Sequence, residues 1–66
     1  MTTYIDRMES ELAALEELRG KGEDFIITPA FNSLPVVDQR LIFAQLSTME
    51  SYSEILYTRI LRARDR

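Results

Sequence analysis

Apolar side chains recur at intervals of three and four residues in the first third of the chain. The positions that carry this stripe are Met1, Ile5, Met8, Leu12 and Leu15. Such spacing places them on one face of an α-helix, and Thr2 or Thr3 is suited to cap its start. Because glycine favours helix ends, we expect Gly20 and Gly22 to stop the helix. The pattern therefore predicts a short helix over residues 3–19.

The same intervals return over the second half of the chain. The positions of this longer stripe are Ile42, Leu46, Met49, Ser53, Leu56, Ile60 and Ala63. Pro35 is suited to a helix start, and Asp38 places a carboxylate in the first turns, where the helix dipole favours it. The stripe has no internal glycine or proline, so it predicts one long helix over residues 35–64.

Between the two stripes, residues 20–34 are apolar without a lasting period. The apolar run 25–27 has no second strand with which to pair. Thr28 followed by Pro29 is typical of a helix cap and first helical position, so we expect one short helical turn there, anchored to the core by Phe31 and Leu34. The fold class is all-α: a single domain, 1–66, built as a helical hairpin.

The hairpin leaves apolar positions of the long helix outside its main stripe. They are Val37, Leu41, Ala44, Tyr52, Ile55, Phe43, Tyr57 and Leu61. A chain of 66 residues without Cys or His has neither disulfides nor a Cys/His metal site to support its small core, which leaves oligomerisation. We therefore expect a homo-oligomeric helical bundle, a two-fold dimer of four helices being the simplest. The alternative is a monomer whose connector covers this surface.

The missing residue types also restrict the chemistry. Without Cys or His there is no thiolate nucleophile and no imidazole base, so we expect no enzyme, no catalytic residues, no metal site and no cofactor. The net charge is −3, which argues against a DNA- or RNA-binding protein. No stretch approaches the ~20 apolar residues of a membrane span and no signal peptide is evident, so a cytoplasmic protein is expected.

Three groups of polar and aromatic residues are candidates for ligand binding. Arginines near the C-terminus suit phosphate, or are simply cations matched to the helix dipole. Tyrosines can stack on a flat ligand, or straddle a core or interface. Neutral polar residues near the connector can read a ligand edge, or cap the backbone. The candidates are Arg40, Arg59 and Arg62 for phosphates, Tyr4, Tyr52 and Tyr57 for stacking, and Thr28, Asn32 and Gln45 for polar edges.

A series of helical anchor residues runs through most of the chain. The anchors are Phe25-Ile26, Phe31-Asn32, Leu34, Asp38-Gln39, Leu41-Ile42, Gln45-Leu46, Met49, Tyr52-Ser53-Glu54-Ile55-Leu56 and Arg59-Ile60, with residues 4–11 as the first helix. Their order resembles that of a group of small proteins from crAss-like and other tailed phages. The chain departs from that group at Pro35, where a Ser or Thr cap is expected, and at Gly20 and Gly22.

The resemblance implies a phage accessory protein that acts in the bacterial cytoplasm. Small helical, oligomeric phage proteins without catalytic residues include inhibitors of host defence, and some sequester cyclic-nucleotide or related signals between subunits. The leading hypothesis is therefore a non-enzymatic homo-oligomer that binds a small nucleotide-like ligand and thereby counters bacterial immunity. The alternative is a small helical interaction module that inhibits a host protein or scaffolds a phage complex.

Overall fold

The first helix begins at a reciprocal cap. A computed structural model describes residues 3–65, so Met1 of the predicted stripe, the alternative cap Thr2 and the terminal Arg66 lie outside the described residues. Helix α1 (Tyr4–Ile26) starts after Thr3, whose hydroxyl accepts from the Asp6 backbone N–H at 3.0 Å. The Asp6 carboxylate accepts from the Thr3 N–H at 3.3 Å. Two backbone donors that a helix start leaves unpaired are thus satisfied.

Helix α1 continues through both glycines, so the predicted end at residue 19 was wrong. No glycine has a positive φ, and neither therefore forms the left-handed cap that would stop the helix. The reason lies in the packing: a Cβ at Gly22 would stand 2.5 Å from Leu46 Cδ2. Gly22 lets the two long helices approach closely, and Ile26 beyond it is half-buried.

The connector is shorter than predicted but contains the expected helical turn. Helix α2 (Pro29–Asn32) is capped by the hydroxyl of Thr28, and Pro29 takes the first position. Phe31 is buried, and its ring meets Phe25 and Phe43 edge-on, with centroids 5.9 and 5.4 Å apart. This cluster of three rings closes one end of the molecule and confirms Phe31 as the connector's anchor.

Helix α3 (Val36–Arg64) runs back along α1 and completes the predicted all-α hairpin. Pro35 precedes it without a side-chain cap, and Asp38 lies in its first turn. The buried core of Met8, Leu56 and Ile60 lies toward the open end. Around it pack Ile5, Leu12, Leu15 and Ala63. Both predicted stripes therefore face the seam between the helices.

Much apolar surface remains outside this seam. The molecule measures 48 × 19 × 13 Å. On one flank of α3, Val37, Leu41 and Ile55 each expose 58–67% of their surface to solvent. The opposite flank exposes Phe43, Tyr57 and Leu61. Within residues 3–65, neither long helix has an apolar stretch that could cross a bilayer.

The two glycines of α1 provide a matched test of the close approach. Gly20→Ala meets no atom within 4 Å and should raise the free energy of unfolding by about 0.5–1 kcal/mol, because alanine favours helix. Gly22→Ala receives the same benefit but displaces Leu46, so we expect it to be less stable than Gly20→Ala by about 1 kcal/mol or more. Urea unfolding at one protein concentration measures both. Equal stabilisation by the two substitutions would contradict the close packing at Gly22.

Candidate functional site

The antiparallel hairpin brings the start of α1 against the last turns of α3. There Tyr4, Arg59, Arg62 and Ala63 line a hollow of about 150 Å³, which we call the terminal hollow. Arg59 donates from Nη2 to the Tyr4 hydroxyl at 2.5 Å, and its guanidinium carbon lies 5.8 Å from the centre of the tyrosine ring. Three predicted ligand-binding residues thus meet at one place.

The terminal hollow is suited to an anion. Among residues 3–65, neither Arg59 nor Arg62 forms an ion pair with a carboxylate. A guanidinium carries five N–H donors in a planar fork, and the Tyr4 hydroxyl takes only one from Arg59. The remaining donors match the oxygen atoms of a phosphate.

The other predicted polar residues lie away from this hollow. Arg40 precedes Arg59 by nineteen positions on α3, which corresponds to about 28 Å along the helix axis. The Thr28 hydroxyl accepts from the backbone of α2 at 3.3 Å and donates to an α1 carbonyl at 2.6 Å. The Asn32 carbonyl accepts a hydrogen bond from a side-chain amide of α3, and Gln45 lines a separate hollow nearer the connector, beside Gly22. Within one chain, these residues do not share a site with Arg59.

The two tyrosines of α3 lie on opposite flanks of the helix. Tyr52 lies on the flank of Arg59 and Arg62, seven positions before Arg59 and therefore about 10 Å away along the axis. Tyr57 lines a hollow on the other flank, where the Arg64 guanidinium pairs with the Glu9 carboxylate at 3.1 Å. A single hairpin therefore offers Tyr4 and Tyr52, but not Tyr57, to a ligand held by Arg59.

A second polar hollow lies midway between the helix ends, and the sequence analysis did not predict it. It has a volume of about 250 Å³, and its floor includes Ser53, which is 5% exposed. We call it the Ser53 hollow. Its lining residues are Leu12, Glu16, Arg19, Glu50, Ser53, Glu54 and Tyr57. The one available signal was a hydroxyl within an otherwise apolar stripe.

The buried Ser53 hydroxyl influences the charge of its neighbour. The hydroxyl lies beside the Glu16 carboxylate and is the largest cause that holds the pKa of that carboxyl below its ordinary value. The Arg19 guanidinium, 2.6 Å from Glu16, also lowers this pKa. Desolvation of the carboxylate acts in the opposite direction and raises it. Yet no atom of residues 3–65 forms a hydrogen bond of standard geometry with Ser53 Oγ. The Ser53 hydroxyl is therefore enclosed in the seam, from where it acts on the Glu16 carboxylate without being open to the hollow.

The chain matches a known protein family. The model of the Sequestin family matches residues 2–62. No curated protein and no solved structure matches the chain. The name of the matched family points to sequestration of a ligand or partner.

Replacing the buried hydroxyl should stabilise the protein. Ser53→Ala removes a buried polar group that lacks a full partner, whereas Ser51→Ala makes the same change at an exposed position of α3. Both gain roughly 0.5 kcal/mol of helix propensity. At a pH low enough to protonate Glu16, where the hydroxyl no longer stabilises a carboxylate, we expect Ser53→Ala to exceed Ser51→Ala by about 1 kcal/mol. At this size that corresponds to about 4–8 °C in Tm. Thermal unfolding at matched concentration measures it, and a Ser53→Ala protein less stable than Ser51→Ala would show that Ser53 is fully hydrogen-bonded.

The same substitution should change the titration of Glu16. Because the folded-state pKa is lowered, the ionised carboxylate contributes stability above its unfolded pKa, and this is lost as the pH falls through the lowered value. In Ser53→Ala we expect the pKa of Glu16 to rise toward its ordinary value, since the hydroxyl is the largest cause of the shift. Side-chain ¹³C NMR during an acid titration measures the pKa. An unchanged pKa would assign the shift to Arg19 alone.

Proposed function

Because the chain belongs to the Sequestin family, we propose that it is a non-enzymatic phage accessory protein that sequesters a nucleotide signal. In this proposal a homo-oligomer in the bacterial cytoplasm binds a cyclic-nucleotide or related signal between its subunits and thereby counters bacterial immunity. The observation that carries it is the terminal hollow, where two arginines without carboxylate partners meet an aromatic ring.

The terminal hollow supplies the two interactions that a nucleotide requires. Arg59 and Arg62 present planar donors to phosphate oxygens. Tyr4 presents an exposed ring, and every nucleobase has a face on which an aromatic ring can stack. Tyr52, on the same flank, is a second stacking surface about 10 Å along α3.

The size of the terminal hollow argues for a site shared between subunits. Its 150 Å³ is below the ~300–1,000 Å³ that is usual for ligand sites. A second copy of the chain supplies the missing walls. If two α3 helices pair antiparallel with full overlap, residue 40 of one lies opposite about residue 60 of the other. That arrangement brings Arg40 of a second copy close to Arg59 and Arg62.

The exposed area of the chain also favours assembly. A chain of 7.7 kDa has 5167 Å² of accessible surface, whereas a compact monomer of that mass has about 4,300 Å². The excess is close to the ~800 Å² that one partner buries in a standard protein interface. Exposed Val37, Leu41 and Ile55 on one flank of α3 provide the apolar part of such an interface.

The same apolar flank favours one alternative function. If Val37, Leu41 and Ile55 pack against a different protein, the chain is an interaction module that inhibits a host protein or scaffolds a phage complex. A sequestering protein forms a closed oligomer by itself and takes up a fixed number of small ligands. An interaction module does not respond to nucleotides but binds one partner protein.

Native mass spectrometry distinguishes these functions directly. The purified protein is measured alone and with cyclic mono-, di- and trinucleotides and ADP-ribose. We expect a defined oligomer that takes up a fixed number of one compound. An oligomer that ignores every compound moves the assignment to the interaction module. A monomer at micromolar concentration contradicts the shared site.

Single arginine substitutions test the phosphate assignment. Arg59→Ala and Arg62→Ala each remove a charge-assisted hydrogen-bond donor and should weaken nucleotide binding about 10- to 100-fold, with the oligomer intact. Lys21→Ala is the matched control, because it removes one exposed positive charge far from the terminal hollow. Titration calorimetry measures affinity at two salt concentrations. Wild-type affinity in both arginine variants would exclude these residues from the site.

A further inference from the structure

One flank of α3 carries a pattern that is complementary to itself about Thr48. Leu41 and Ile55 lie seven positions before and after Thr48, and Ala44 and Tyr52 lie four positions before and after it. All five residues are exposed in the hairpin, and we call this surface the Thr48 flank. When two copies of a helix pair antiparallel about a two-fold axis, residues at equal distances on opposite sides of the axis meet.

We propose that the Thr48 flank binds the same flank of a second copy of the chain, antiparallel, with Thr48 on the two-fold axis. This inference rests on the proposed function, in which subunits share a site, and specifies the surface that joins them. In this register Leu41 of each copy packs against Ile55 of the other. The small Ala44 faces the large Tyr52, which is the alternation that close packing requires.

The charges at the edge of the Thr48 flank favour the same register. Arg40 lies eight positions before Thr48 and Glu54 lies six positions after it. Each Arg40 is therefore offset from Glu54 of the other copy by only about 3 Å along the helix axis. Within residues 3–65 neither side chain forms an ion pair in the hairpin. The two-fold axis makes two such pairs, and it also keeps Arg40 of the second copy within one helical turn of Arg59 along the axis.

A hollow on the Thr48 flank is suited to receive the arginine. It has a volume of about 440 Å³ and is lined by Ser51, Glu54, Ile55, Thr58 and Arg59. Positions 51, 54, 55 and 58 are the four corners of a hole into which a facing helix inserts one side chain. Because an arginine buries its stem along apolar surface and keeps its head polar, Arg40 of the second copy can pack on Ile55 while its guanidinium reaches Glu54.

The threonines of the Thr48 flank do not oppose its burial. The Thr48 hydroxyl donates to the Ala44 carbonyl at 2.9 Å, and the Thr58 hydroxyl donates to the Glu54 carbonyl at 2.9 Å. Both hydroxyl donors are therefore satisfied by their own helix. Removing water from them leaves no donor unpaired, which is the cost that usually keeps hydroxyls out of interfaces.

The opposite flank of α3 lacks this complementarity. Its Phe43 and Tyr57 lie seven positions before and after Glu50, so antiparallel pairing about that position would set Glu50 of one copy against Glu50 of the other. Like charges that face each other disfavour an interface. The excess of exposed area corresponds to about one standard interface per chain, and the Thr48 flank forms it without that repulsion.

Single cysteines test the axis, because the chain contains no cysteine of its own. In Thr48→Cys the two thiols of a dimer meet at the axis, so mild oxidation with glutathione disulfide should link most of the protein into covalent dimers. Ser51→Cys is the matched control, because its two copies lie about 9 Å apart along the axis, beyond the ~7 Å between Cα atoms that a disulfide can bridge. Non-reducing gel electrophoresis should show Thr48→Cys crosslinking at least about 10-fold faster than Ser51→Cys, and concentrated urea should abolish the difference.

The pairing of Arg40 with Glu54 has its own test. Arg40→Glu sets like charges against each other at both pairs and should weaken dimerisation about 5- to 30-fold. Combining it with Glu54→Arg restores opposite charges and should return the affinity to within about 3-fold of wild type. Sedimentation equilibrium without nucleotide measures both variants.

These outcomes separate the interface from the proposed function. An oligomer in which Thr48→Cys and Ser51→Cys crosslink equally fast, or in which neither crosslinks, overturns the antiparallel pairing and leaves a site between subunits standing. A double charge variant as weak as Arg40→Glu overturns the register in the same way. Selective crosslinking of Thr48→Cys in an oligomer that binds no nucleotide supports the interface and contradicts the proposed function alone. A monomer at micromolar concentration overturns both.

Discussion

The narrow seam between α1 and α3 is the interaction on which the rest of this structure depends. Two helices of 23 and 29 residues meet along a single stripe each, and Gly22 allows their backbones to approach where Leu46 fills the space that a side chain would otherwise need. Because the buried apolar side chains that residues 3–65 place on this seam are Met8, Leu56 and Ile60, the antiparallel register rests on few side chains. That register places Tyr4 against Arg59 and Glu16 beside Ser53, so both hollows follow from how the two helices pack.

The sequence pattern was sufficient to predict the architecture but not the length of its first arm. Intervals of three and four residues correctly identified the buried faces, because burial on a hairpin depends on the helical period alone. The same intervals continue from Leu15 through Arg19 and Gly22 to Ile26. Composition favoured stopping the helix at the glycines, since glycine is a weak helix former. Tertiary packing overrides that preference. The packing at Gly22 depends on Leu46, which lies 24 positions later in the chain and therefore outside any local sequence pattern around the glycine.

The residues of the candidate sites were predictable from the sequence to different degrees, because residue types can be read from a sequence whereas tertiary contacts cannot. Arg59, Arg62 and Tyr4 have side chains whose chemistry suggests phosphates and bases wherever they lie, so the sequence could nominate them individually. Their meeting depends on a contact between residues 55 positions apart, which residue types do not encode. Ser53 was placed on the buried stripe, where a serine passes as a small, tolerated residue. Its unpaired hydroxyl and its influence on Glu16 are properties of the assembled seam.

A small core and open hollows are two consequences of one arrangement. Each hairpin leaves apolar flanks exposed and presents hollows that are open to solvent. In the proposed assembly, burying the flank around Leu41 and Ile55 both stabilises the fold and supplies the second wall of the ligand site. Binding energy and folding energy then add, because a ligand that bridges two copies stabilises only the assembled form.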